Sequence, residues 1–125
     1  MPRLQGHWKE TKVISELDNY IWHSLPATKY IAGRRVVRRI ARRAAERFPT
    51  EIMESISMQG RARMLEQMAS NVEREERQQY GMGIILTLVL SALISEIVKA
   101  LWAWWVSSKS NRDALLAWQQ EPHDD

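Results

Sequence analysis

Apolar residues recur at helical spacing in every segment after Thr11, and no stretch of useful length alternates as a strand does. The pattern predicts an all-α chain: short amphipathic helices followed by one long carboxyl-terminal hydrophobic helix, read as transmembrane. No internal repeat and no low-complexity linker interrupts it. Val13, Ile14, Leu17, Tyr20 and Ile21 form one stripe of a first helix over Lys12 to Ser24, with Trp22 on the same contact surface and Pro26 ending it. A second helix is expected from about Thr28 to Phe48. It stops before Pro49, which lacks the amide hydrogen a helix interior needs. Pro49 or Thr50 then starts a third helix, bent or divided at Gly60. Its packing side is Met-rich: Met53, Met58, Met64 and Met68 with Ile52, Ile56, Leu65 and Val72.

From Arg61 onward the residues favour helix strongly, and Gly81 and Gly83 are the only breakers before the apolar run. One expectation is therefore a continuous rod from Arg61 to Val106, about 69 Å long at 1.5 Å per residue. The organisation reads as a flexible arm (residues 1–10), a basic helical region (11–80), a hydrophobic helix (81–106) and a short acidic tail (107–125). In that tail Ala114, Leu115, Leu116 and Trp118 make one apolar patch able to dock or to lie at an interface.

The run GMGIILTLVLSALISEIVKALWAWWV, Gly81 to Val106, carries only Glu96 and Lys99 as charges. A hydrocarbon core of about 30 Å needs roughly 20 helical residues, and Met82 to Leu101 supplies them. With the span centred near Ser91, Lys99 snorkels toward the headgroups, and Glu96 offsets its burial by pairing with Lys99 three positions on. Trp102, Trp104 and Trp105 at one end and Tyr80 at the other stand where an aromatic belt would lie. Gly83, Thr87, Ser91 and Ser95 recur every four residues, a small-residue stripe along which two helices could approach closely. The competing environment is a protein interior, with the same helix buried by neighbours.

Net charge is +3, but residues 1–80 carry 15 Lys and Arg against 10 acids, whereas 107–125 carry 2 against 4. For a spanning helix the positive-inside tendency keeps the amino-terminal part in the cytoplasm and sends the tail across. No apolar stretch near the amino terminus resembles a cleaved signal, and with so short a tail insertion would resemble that of tail-anchored proteins. Cysteine is absent, which removes disulfides and thiolate chemistry.

The densest charge lies in GRRVVRRIARRAAERF. Arg34, Arg35, Arg38, Arg39, Arg42, Arg43 and Arg47 fall on one arc of a helix, opposite Val36, Val37, Ile40, Ala41, Ala44, Ala45 and Phe48. Guanidinium groups in this array suit lipid phosphate, nucleic-acid phosphate or an acidic protein face, or simply a solvated surface. Tyr30 and Phe48 are the only aromatic residues nearby for base stacking, so nucleic-acid contact would follow the backbone.

His7, His23 and His123 are scattered, and Glu51, Glu54, Glu73, Glu75 and Glu76 lack histidine partners. The carboxylates read as solvated helix faces, and no catalytic or metal motif is present. The functional expectation is a non-enzymatic, membrane-anchored accessory or scaffold subunit with no cofactor and no small-molecule substrate. Its partners would be anionic membrane lipid, further helices or copies of itself, with nucleic acid as a further candidate. The alternative is a structural subunit of a large soluble or viral assembly, with the apolar helix buried in protein and the arginines facing nucleic acid. A small pore former of holin type comes third.

Overall fold

Helix α1 (Lys12–Ser24) spans the segment the apolar spacing predicts, and Ile14, Leu17 and Ile21 are its buried stripe. The computed structural model describes residues 12–54, 60–79 and 84–120, and the side chains of these except 53, 54, 79 and 84–87. Among the described residues there are six helices and no strand, so the protein is all-α. Past Pro26 the chain tightens into i→i+3 bonds: Lys29, Tyr30 and Ile31 amides donate to the Pro26, Ala27 and Thr28 carbonyls at 3.0 Å each. A single turn, α2 (Lys29–Ala32), follows.

Gly33 then breaks the path at φ 92° and ψ 156°, a backbone region that only glycine enters without strain. The expected second helix is thus two helices, α2 and α3 (Arg34–Glu54), because glycine turns the chain between them. Helix α3 also runs through Pro49 instead of stopping before it. Proline forfeits one backbone bond, but both flanks are held. Phe48 is fully buried, Ile52 packs on the core, and Glu51 accepts from Arg47 at 2.6 Å and from Asn71 at 3.1 Å. Gly60 is the second glycine at positive φ, 88°, and α4 (Arg61–Gln79) starts directly after it.

Helix α5 (Ile84–Ser107) is the long apolar helix, and over Leu88–Ser107 it is long and apolar enough to cross a membrane. It does not continue α4 as a rod. Ser91 Oγ donates to Glu73 at 3.1 Å, while Ser95, Lys99 and Trp102 face Leu65, Glu66 and Arg61 across one cleft. Rising positions on α5 meet falling positions on α4, so the two helices are antiparallel neighbours. The physical reason is burial: a rod would leave Leu90, Leu93, Ile94, Ile97 and Leu101 uncovered, whereas here each is 0–1% exposed. Helices α1, α2, α3 and α4 all pack on α5, and so does α6 (Lys109–Gln119).

Helix α6 returns along the bundle instead of trailing from it. Ser108 caps it, its Oγ accepting from the Asn111 amide at 3.0 Å. Asn111 Nδ2 and Arg112 Nη1 donate back to the Trp104 and Trp105 carbonyls at 2.9 and 3.2 Å, occupying acceptors that the end of α5 leaves open. The tail patch docks through Leu115 and Trp118, which are buried, while Leu116 stays 38% exposed.

Two stability predictions follow from this packing. Gly33→Ala should lower unfolding free energy by about 1–3 kcal/mol. Space is not the cause, since nothing lies within 4 Å of an added Cβ. Leu101→Ala, at a position 0% exposed, should lower it by about 2–5 kcal/mol. Urea titration followed by circular dichroism measures both.

Candidate binding surface

The arginines of α3 sit on the two borders of its apolar arc, because pairs repeated every four residues flank a stripe of the same period. Val37, Ile40, Ala41, Ala44, Ala45 and Phe48 form that stripe, each 0–3% exposed. On the α1 border Arg34 Nη2 donates to Asn19 at 2.8 Å, and Arg38 Nε donates to Asp18 at 2.9 Å. On the α4 border Arg43 pairs with Glu75 at 3.2 Å and with Glu76, and Arg47 pairs with Glu75 and with Glu51.

Much of the basic array therefore meets an acidic face supplied by its own chain. Glu73, Glu75 and Glu76 are not a solvated face: Glu76 is 0% exposed, and Glu73 accepts from Arg77 at 2.8 Å as well as from Ser91. Sequence reasoning missed these partners because nothing in the local pattern of α4 says which helix it will face. A signal was nonetheless present, an acid-rich helix and an arginine-rich helix in one short chain.

Arg35, Arg38 and Arg39 are the exposed members of the array, and Arg34, Arg42, Arg43 and Arg47 are half-buried. Near Arg34 lies an aromatic corner. Its guanidinium carbon stands 4.9 Å from the Trp22 ring, and Lys29 Nζ stands 4.8 Å from the same ring and 5.3 Å from Tyr30. Lys29 is buried and donates to the Trp22 carbonyl at 2.8 Å, so its charge is held by a carbonyl dipole and two π faces.

On α5, Glu96 and Lys99 form the expected pair at 3.6 Å, at the surface, with side chains 44% and 60% exposed. Ser91 is exposed and Ser95 half-buried. Gly83, the Thr87 side chain and Tyr80 lie outside the described residues. Trp104 is buried in the core. Trp102 and Trp105 pack on Phe48 of α3, with ring centroids 6.3 and 5.4 Å apart. All three indoles thus take part in interhelical packing.

Between α4 and α5 lies an open cleft of about 560 Å³, lined by Arg61, Leu65, Glu66, Ser95, Lys99 and Trp102 among others. Its charges are of both signs, and no histidine lines it. Among the described residues no group of three His, Cys, Asp or Glu could hold a metal ion. Comparison with known proteins adds nothing to this geometry: no protein-family model, no curated protein and no solved structure matches the chain.

Burial pushes the Asp18 carboxyl above its ordinary value, against the opposing pull of Arg38, Arg42 and Arg34. For Arg43, burial pulls downward, but Glu76 and Glu75 outweigh it and hold the guanidinium above its ordinary value.

An acid raised on folding binds its proton more tightly in the folded state. The Asp18 contribution to stability is therefore greatest when it is protonated, and declines as pH rises from about 3.8 through the folded value. Asp18→Asn should flatten that part of the profile, read as melting temperature from pH 3.5 to 7. Arg43→Ala strands the buried Glu76 carboxylate and should cost about 3–5 kcal/mol, whereas Arg43→Met with Glu76→Leu should recover most of the loss. Denaturant titration of the two variants separates these outcomes.

Proposed function

We propose that this protein is a non-enzymatic helical subunit of a larger assembly, keeping its apolar helix within its own bundle and holding an acidic surface through the outward arginines of α3. The observation that carries this reading is the contact between segments on either side of α5. Gln119 Nε2 donates to the Glu46 carbonyl at 2.6 Å and to Thr50 at 3.3 Å, so α6 lies against the arginine helix. A single-span topology with cytoplasmic amino terminus would put roughly 30 Å of hydrocarbon between those two segments. It would also require α5 to leave Phe48, which packs on Trp102 and Trp105, and Glu73, to which Ser91 donates. In the bundle, by contrast, the apolar side of α5 stays covered by the other helices.

A second reading, the membrane-anchored scaffold, is favoured by one feature, the length and apolarity of α5 over Leu88–Ser107. Fractionation of expressing cells with a carbonate wash decides between the two. Release without detergent supports the assembly subunit, and retention in the pellet supports the anchor.

The arginines have their own test. Arg35→Gln with Arg39→Gln should weaken binding to a random-sequence DNA duplex or to anionic vesicles while leaving the fold intact. The slope of log affinity against log salt on DNA should fall by roughly 2, near one unit per lost phosphate contact. Unchanged affinity for both ligands would reduce this face to a solvated surface.

A further inference from the structure

At about 100° per residue, the outward arc of α5 covers roughly 140° and has Leu88, Ala92, Lys99, Ala103 and Val106 near its middle, with Glu96 on one flank. Leu88 and Val106 are large apolar residues standing 68% and 48% exposed, Ala92 and Ala103 are exposed, and at mid-length the side chains of Glu96 and Lys99 are 44% and 60% exposed. The order is close to palindromic. About a point between Ile97 and Val98, Ala92 mirrors Ala103 and Glu96 mirrors Lys99, while Leu88 and Val106 correspond to within one residue, about 1.5 Å along the axis.

A twofold axis through that point would lay α5 antiparallel on a second α5. A closed twofold contact is isologous, so each residue i meets j while j meets i. Leu88 of one copy then covers Val106 of the other at both ends. Ala92 faces Ala103, allowing the backbones to approach, and Glu96 faces Lys99 twice. The Glu96 and Lys99 pairs within each copy close with those between copies into a ring of four alternating charges. A parallel arrangement would set Lys99 beside Lys99 and Glu96 beside Glu96, a repulsive pairing. The geometry points to an antiparallel homodimer built on the outward face of α5, with Glu96 and Lys99 as its reciprocal charge pairs. The inference is independent of what the arginines of α3 hold, and its test contains neither nucleic acid nor lipid.

The experiment uses the full chain, whose lack of cysteine makes introduced thiols unambiguous. In the antiparallel pair the two copies of residue 92 are about 16 Å apart along the axis, while 92 lies beside 103. Disulfides form only when Cα atoms come within about 7 Å. Ala92→Cys and Ala103→Cys chains, co-expressed with different tags and oxidised in unfractionated lysate, should crosslink to each other, and neither should crosslink to itself. Crosslinking of Ala92→Cys to itself, or no crosslink between the two, overturns the proposal.

The charges are tested by sedimentation. Glu96→Lys and Lys99→Glu should each weaken the dimer, roughly four- to thirtyfold for two reversed pairs. A mixture of these two single variants should regain dimer as a heterodimer, since one copy then presents only cations and the other only anions. A purely monomeric wild type at high concentration, or single variants that dimerise as well as wild type, would sink the interface.

Discussion

The structure depends on where the apolar side of α5 is buried. A helix of that composition is stable only when hydrocarbon or protein covers it, since exposing it to water forfeits roughly 25 cal/mol per Å² of apolar surface. In this fold the cover comes from the chain itself. Ile14, Leu17 and Ile21 of α1, Ile40 and Phe48 of α3, Met68 and Val72 of α4, and Leu115 and Trp118 of α6 share one core cluster with Leu93, Ile94, Ile97 and Leu101. Helices α1, α3, α4 and α6 are amphipathic for the same reason: each has one apolar stripe to give to the core and a polar side to give to water.

The second constraint is electrostatic and sets which helices neighbour each other. The seam between α3 and α4 joins Arg43 and Arg47 to Glu51, Glu75 and Glu76, with Asn71 bridging to Glu51. Because Glu76 is fully buried, turning α4 about its axis so that its acids leave the arginine border would strand a carboxylate without a cation. The ion pairs therefore specify which faces of α3 and α4 meet, and the Met-rich packing supplies adhesion.

These two constraints also shape what remains for function. The partnered borders of α3 stabilise the bundle, and its exposed arginines, Arg35 among them, project from a rigid helix. The outward arc of α5 is bounded on one side by α4, through the Ser91 to Glu73 bond and the neighbouring cleft. A helix that is apolar over most of its circumference thus presents a narrow face of alanine, opposite charges and two large apolar ends.

Local sequence determined the helical class, the span and buried stripe of α1, the helix start after Gly60 and the docking patch of the tail. These rest on spacing and on single residues such as Pro26 and Gly60, whose backbone chemistry acts within a turn or two. It could not tell that Pro49 would be carried inside α3, since the lost backbone bond is offset by Phe48 seated against Trp102 and Trp105, which lie far along the chain. Nor could it tell that the chain would reverse between α4 and α5, or that arginines and glutamates read as separate faces would become partners. Tertiary structure decided these, because the free energy of burying apolar surface and pairing charge depends on which helices meet, and that choice is made by the whole set of stripes at once.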